Sequence, residues 1–414
     1  MVKSVLVLGA GMIGVSTAIH LRERGLDVVL VDRKAAGQET SYGNAGLIQR
    51  EATRPYAFPM NARDLVDVAL ARNNDVHYSI GALPALAGRL SAYARNSLPG
   101  PYGRIVPPWR ALIETCLTEH TRFIDATNSW DLVTQGGWRS GFRSEGRDFD
   151  AAREDAITRV REDGLSVDIE DSRTLASREP ALIRAMAGSI WWKDAWAVSN
   201  PGELVARYAR HFTAIGGAIA FGDAATLDRT ASGWSVRTPD GVLNAEATVV
   251  ALGPWSDDLA KRLGYSFPLF VKRGYHRHYT CTAMPAIPML DVEHGVMIAP
   301  MQAGLRLTTG AEFLPRDDAP SPVQLDVAER GVREIFALGA GVEATPWLGS
   351  RPVMPDMLPN IGAAPRDPSL WFHFGHAHQG FTLGPSSGRL LAELMTGETP
   401  FVDPTPYAPA RWLD

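Results

Sequence analysis

Three glycines fall in the run Gly9-Ala10-Gly11-Met12-Ile13-Gly14, and an acidic residue, Asp32, follows further along. Residue types at this spacing suit the binding of a pyrophosphate. Gly9 permits a tight turn, Gly11 lets a phosphate approach the backbone, and Gly14 lets a helix pack closely on a sheet. Met12 and Ile13 would open that helix, where free N–H groups and a partial positive charge favour an anion. Asp32 can accept hydrogen bonds from a ribose. The chemistry implied is dinucleotide binding, and the motif by itself does not separate NAD from FAD.

The motif needs a strand before it and a helix after it, and the sequence supplies both. Residues 5–8 are an unbroken β-prone apolar run, as expected of a parallel strand buried on both faces. A helical stretch runs to about Arg24, with Gly25 placed to end it. Residues 26–31 read as a second strand that closes at Asp32. Residues 4–21 contain no Asp, Glu, Lys or Arg and superficially resemble a leader or a short membrane span. Glycines interrupt the run, and Arg22-Glu23-Arg24-Gly25 follows in place of a small-residue cleavage site, so a buried strand and packed helix are expected.

The chain has 414 residues, enough for two or three domains. Apolar residues make up 45% and charged residues 21%, which excludes a disordered, collagenous or coiled-coil chain. The net charge of −5 provides no basic surplus for nucleic acid. Cys116 and Cys281 lack CxxC spacing, which fits a reducing cytoplasm and disfavours a disulfide scaffold or a cysteine-based zinc site. No metal is expected, because the histidines lack a matching ligand pattern.

Four further segments carry more information. The first is Glu39-Thr40-Ser41-Tyr42-Gly43-Asn44-Ala45-Gly46-Leu47-Ile48. The second is Ala247-Thr248-Val249-Val250-Ala251-Leu252-Gly253-Pro254-Trp255-Ser256, a buried strand ending in a glycine turn. The third is Trp347-Leu348-Gly349-Ser350-Arg351-Pro352 with Asp356-Met357-Leu358-Pro359-Asn360-Ile361-Gly362. The fourth, Phe374-Gly375-His376-Ala377-His378-Gln379-Gly380-Phe381-Thr382-Leu383-Gly384-Pro385, opens a helix reaching about Thr396. In order and spacing these segments resemble the D-amino acid oxidase/dehydrogenase family of flavoproteins, which includes glycine and sarcosine oxidases. Within it the resemblance is nearest to the small-subunit type of bacterial D-amino acid dehydrogenase. It covers nearly the whole chain.

The resemblance implies an α/β fold with an antiparallel sheet: a Rossmann-like FAD-binding domain (1–55, 147–171, 198–266, 347–414) interleaved with a substrate-binding domain (56–146, 172–197, 267–346) carrying a helical insertion. It implies FAD contacts from Gly9, Gly11, Met12, Ile13, Gly14, Asp32 and Arg33, and from Thr40, Ser41, Asn44, Ala45, Gly46 and Leu47. Ala225, Gly253 and Trp255 follow, then His376, Gln379, Gly380, Phe381 and Thr382. The helix opening near Gly380 would offer N–H groups to the flavin. Sarcosine oxidases attach flavin through a cysteine after the RP motif, whereas Val353 and Met354 stand here, so non-covalent FAD is expected.

Local patterns agree with this plan. Residues 61–128 read as mostly helical, punctuated at Pro99-Gly100-Pro101 and Pro107-Pro108. Residues 151–163 read as a helix with a solvated charged face, stopped by Gly164. Residues 203–215 form another, begun by Asn200-Pro201 and ended by Gly216-Gly217, with strand 218–221 after it. Residues 233–238 start a hairpin whose turn, Pro239-Asp240-Gly241, leads into a strand reaching Val250. Strands at 267–279, 295–300 and 305–309 would form the wall on the substrate side.

The reaction implied is oxidation of a Cα–N bond by hydride transfer from Cα to flavin N5, giving an imine that hydrolyses to a 2-oxo acid and ammonia. The substrate carboxylate then needs a fixed, forked cation. Arg351 stands where the family places that arginine. Arg306 is the backup, with a strand-surface salt bridge as its ordinary role. Tyr275 and His276 are candidates on one strand, and only one of them can face the cavity. His378 is placed beside the flavin edge. Some relatives carry a substrate-binding tyrosine in the strand that here reads Val296-Met297-Ile298-Ala299, so the pocket must differ. Trp191, Trp192 and Trp196 are expected to pack ordinarily. Partners are an amino or imino acid and an electron acceptor, either a quinone, another carrier or O2. An oxidase, a dehydrogenase of cyclic imino acids, a flavin subunit of a larger complex and a nicotinamide enzyme are the competing readings. A cytoplasmic protein is expected, with a peripheral contact to the inner face of the membrane or with partner subunits as further options.

Overall fold

The structure is a computed structural model describing residues 2–60 and 74–413. A six-stranded sheet has the order Ala218–Phe221, Asp27–Asp32, Ser4–Leu8, Ala247–Val250, Asp367–Phe374, Asn360–Ala364. Neighbours pair in parallel except the last two strands, which are antiparallel. Residues 5–8 of the strand Ser4–Leu8 are apolar because they are covered on both sides. Val5 and Val7 pack with Val15, Ile19, Leu390 and Leu391 of two helices, Met12–Glu23 and Gly380–Thr396. Leu6 and Leu8 pack on the other side with Trp234, Val236 and Phe372.

The two helices lie against each other through small residues. A Cβ at Gly388 would stand 3.0 Å from the backbone of Ser16 and Thr17, and one at Gly384 would stand 2.5 Å from the Met12 side chain. Chain segments far apart in sequence thus share one core.

An eleven-stranded mixed sheet is built around the long strand Phe270–Cys281, which pairs with Gly304–Thr309 and Trp347–Val353. Alternation sets its two faces. Leu305, Leu307 and Ile298 join the core under the helix Val323–Val332, while Met297 and Thr308 point to a large cavity. A helical layer, Leu83–Asn96, Pro99–Glu114 and Cys116–Ala126, covers the side of the molecule near the C-terminal helix.

Several expectations change here. Pro107 and Pro108 lie inside the helix Pro99–Glu114. The cost of an internal proline, about 3 kcal/mol, is offset by burial of Ile105, Trp109, Leu112 and Ile113 and by the Trp109 Nε1–H bond to the Ala52 carbonyl at 2.7 Å. The run after the 239–241 turn splits into Gly241–Ala245 and Ala247–Val250, which belong to different sheets. Val167–Asp171 and Trp347–Val353, assigned from sequence to the cofactor domain, pair within the eleven-stranded sheet. The helical reading of residues 61–73 lies outside the described residues. Among the described residues, no helix is long and apolar enough to cross a membrane.

Candidate active site

One cavity of about 1420 Å³ lies between the two large sheets. Its first wall is the glycine turn. Gly9 has φ +108°, and a Cβ there would stand 2.4 Å from the Ala251 carbonyl oxygen, so only glycine lets the turn seat on the neighbouring strand. A Cβ at Gly14 would come within 1.8 Å of the Gly9 carbonyl oxygen. Gly14 therefore shapes the turn from behind and does not line the cavity, whereas Gly9, Gly11, Met12 and Ile13 do. Asp32 Oδ2 accepts the Ala10 N–H at 2.6 Å and Oδ1 accepts the Lys34 N–H at 3.0 Å, which fixes the carboxylate at the cavity rim. Arg33 lies over the Trp255 ring at 4.4 Å, and Ala225 and Gly253 complete this end.

The loop from Glu39 to Gln49 forms the second wall. Ser41 Oγ accepts the Met12 N–H at 2.9 Å, tying loop to helix. Asn44 Oδ1 accepts the N–H groups of Gly46 and Leu47, and Arg306 Nη1 donates to the carbonyls of Tyr42 and Asn44. Arg306 is buried, its Nε donating to His278 Nε2 at 2.9 Å. It therefore pins the loop, and neither a surface salt bridge nor a ligand role describes it. Thr40, Asn44, Ala45 and Leu47 line the cavity; Gly46 packs instead on the Val198 carbonyl and Met301.

The third wall comes from the segment before the C-terminal helix. Ala377 has φ +50°, a conformation unusual without glycine and one that locally stores strain. The helix Gly380–Thr396 has no side-chain cap, and Gly380 and Phe381 at its start line the cavity. His376 is held by Ser387 Oγ at 3.0 Å, and burial lowers its pKa to about 3. Gln379 and Thr382 stand behind this wall: Gln379 Nε2 donates to Gln49 Oε1 at 2.8 Å, and Thr382 Oγ1 accepts the Gln49 N–H at 3.1 Å.

The last wall carries charge. Arg351 donates to the carbonyls of Gly310 at 3.0 Å and Thr309 at 3.2 Å, and no carboxylate pairs with it among the described residues. Burial draws its pKa down to about 10. A Cβ at Gly274 would stand 2.4 Å from Arg351 Nη1, so the glycine makes room for the guanidinium. Directly across the strand pair sits Lys272, pulled down to about 7 by burial and then by Arg351. His378 lines the same region, its pKa lowered well below the usual value by burial, Arg351 and Lys272.

The candidates at 275 and 276 fall differently from expectation. Tyr275 borders the cavity, but its hydroxyl is committed to a buried network, donating to Glu312 Oε2 at 2.9 Å and accepting from Arg273 and the Ser321 N–H. His276 does not line the cavity: its ring stacks on Trp347 at 4.8 Å and lies 5.5 Å from Tyr42. Lys272 escaped the sequence reading, although it shares the parity of Gly274 on a strand that pairs with the Arg351 segment. Trp191, Trp192 and Trp196 pack against neighbouring cations and rings and do not line the cavity.

Glu51 also went unnoticed. It is buried, accepts from Trp138 Nε1 at 2.7 Å and Gln49 Nε2 at 2.9 Å, and burial raises its pKa to about 7. A carboxyl raised in the folded state contributes stability that is complete below its unfolded value and lost as pH rises through about 7. Glu51→Gln removes that titration. Between pH 5 and pH 8 the natural protein is expected to lose a few degrees of Tm relative to the variant, measured by thermal melts at both pH values.

Comparison with known proteins decides the family. Residues 4–394 match the family model described as FAD dependent oxidoreductase. The chain is 30% identical to a D-amino acid dehydrogenase of Chromohalobacter salexigens over 97% of both chains.

The chain belongs to the FAD dependent oxidoreductase family.

Another family relative, a glycine oxidase of Pseudomonas aeruginosa, is 28% identical over 100% of both chains. In fold, the glycine oxidase of Geobacillus kaustophilus matches with a TM-score of 0.73 at 21% identity, covering 100% of both chains. FAD is the cofactor of this family, and the residues present suit it. The glycine turn leaves room where a side chain would intrude, Asp32 stands at the rim for a ribose, and the buried Nδ1 of His378 has no protein partner among the described residues. The cavity volume exceeds what a drug-sized ligand fills and accommodates a dinucleotide with a small substrate.

Proposed function

We propose that this chain is an amino acid dehydrogenase that oxidises the Cα–N bond of a D-amino acid and passes the electrons to a quinone or another carrier. FAD, held without a covalent bond, supplies the two-electron oxidation. The observation that carries the reading is the Arg351 guanidinium, a cation without a carboxylate partner, opening onto the cavity that the phosphate-binding turn also lines. A bidentate bond from Arg351 orients the α-carboxylate and so fixes Cα. The neutral imidazole of His378 offers its free Nδ1 to the substrate nitrogen. No side-chain base is required when the substrate binds as its neutral amine, since the Cα hydrogen leaves as hydride. Neither cysteine lines the cavity, in keeping with non-covalent FAD. The names of the relatives support the D-configuration and leave the acceptor open, since a D-amino-acid oxidase of Bradyrhizobium diazoefficiens is 27% identical to the chain.

We assign the cofactor domain to the six-stranded sheet with its helices and the substrate domain to the eleven-stranded sheet. The test is a dye-linked screen of D- and L-amino acids and cyclic imino acids under nitrogen, with peroxide measured in air. The purified protein should be yellow, absorbing near roughly 450 nm. Dye reduction without peroxide is the expected result. Peroxide at matching rates would replace the carrier by O2, and a colourless protein that takes up no FAD would overturn the reading.

A further inference from the structure

We propose that Lys272 and Arg351 together select an amino acid bearing a second carboxylate, Arg351 binding the α-carboxylate and Lys272 the one on the side chain. The inference rests on the amino acid reading above and names the substrate class it leaves open.

Lys272 and Arg351 are direct cross-strand partners in the antiparallel pair of Phe270–Cys281 with Trp347–Val353. Opposite residues in such a pair project to the same face, and both residues line the cavity. Arg351 uses its Nη atoms on three backbone carbonyls, those of Gly310, Thr309 and, at 3.5 Å, Arg273, none of which carries a formal charge. The Lys272 ammonium donates to the Tyr93 hydroxyl at 3.0 Å and lies 4.5 Å from the Tyr93 ring and 5.8 Å from the Phe313 ring. The Tyr93 hydroxyl in turn donates to the Tyr56 carbonyl. Lys272 is 7% exposed and has no carboxylate partner among the described residues.

Two neighbouring buried cations repel each other, and burying either without an anion is costly. The lowered pKa of Lys272 reflects that cost. A single carboxylate on Arg351 leaves the ammonium unpaired, whereas a short dicarboxylate pairs both. The aromatic surroundings of Tyr93 and Phe313 hold the ammonium in place and supply no negative group of their own.

The test uses the flavin-loaded enzyme with aspartate and glutamate, in both configurations, against asparagine and glutamine, which have nearly the same shape without the charge. The kcat/KM of the acid is expected to exceed that of its amide by about tenfold or more. Lys272→Met should reduce that acid-over-amide ratio by about tenfold, and Lys272→Arg should retain most of it. A readout free of turnover comes from the flavin absorption spectrum on titration with glutarate or succinate against butyrate. The diacids should bind more tightly, and Lys272→Met should remove the difference. Equal rates for acid and amide overturn the proposal. So does an equal loss for both in Lys272→Met, which would place the ammonium on the α-carboxylate or on the cofactor. Oxidation of neutral amino acids alone overturns only this inference, while oxidation of no amino acid overturns the functional reading as well.

Discussion

Arg351→Ala is expected to lower kcat/KM for the amino acid substrate about 100-fold, close to 3 kcal/mol, while FAD stays bound. The size follows from the site. The guanidinium is buried, and its protein partners are carbonyl oxygens that hold its direction without neutralising it. A substrate carboxylate would therefore meet a fixed and uncompensated fork. Without it, the carboxylate would be desolvated with no partner, and Cα would no longer be held for reaction. The loss should appear mainly in KM if the contact is equally strong in the ground and transition states, and in kcat if it also sets the alignment of Cα. Arg351→Lys should recover only part of the loss, because an ammonium cannot form the two parallel bonds. Steady-state kinetics with the flavin content of each variant measured in parallel provide the check. Unchanged kinetics in Arg351→Ala would remove this residue from the substrate site.

Gly11→Val should abolish FAD retention in a chain that still folds. Gly11 lines the cavity at the start of the helix Met12–Glu23, and its nearest protein neighbour for an added Cβ is Ser41 Oγ at 3.3 Å. The protein itself thus tolerates a small side chain there with a shift of a hydroxyl. The branched valine would occupy the space into which the pyrophosphate must fall, and it would press on the Ser41 contact that orients the Met12 N–H. Gly14 offers a contrast, because its hypothetical Cβ meets backbone and a substitution there would damage folding itself. Flavin absorbance after gel filtration, set beside circular dichroism, separates the two effects. A folded and fully yellow Gly11→Val protein would refute the assignment of the turn to phosphate.

What could be read in the sequence was whatever depends on the backbone alone. Gly9 and Gly14 are dictated by contacts of 2.4 and 1.8 Å that no side chain survives, and such demands leave a mark on local sequence. The strands 5–8 and 247–250 were equally legible, since burial on both faces leaves Thr248 as their one polar side chain, its hydroxyl donating to the Leu6 carbonyl at 3.2 Å. The faces of the strand Phe270–Cys281 were not. Alternation says that Tyr275 and His276 point oppositely, yet it cannot say which side is the cavity. That choice is made by distant partners: Glu312 and Arg273 take Tyr275 to one side, while Trp347 and Tyr42 cover His276 on the other. Lys272 remains on the open part of that face. The role of Arg306 was hidden for the same reason, because the carbonyls it holds belong to Tyr42 and Asn44, far away in the chain.

The glycine-mediated seam between the helices Met12–Glu23 and Gly380–Thr396 has a bearing on biosynthesis. The segment that opens the nucleotide site leaves the ribosome long before the helix that shields it. Until that helix arrives, Met12–Glu23 has no lid, so ordering this region requires closing a loop that spans most of the residues between them. The prosthetic group is consequently expected to be captured only after these two distant helices have met.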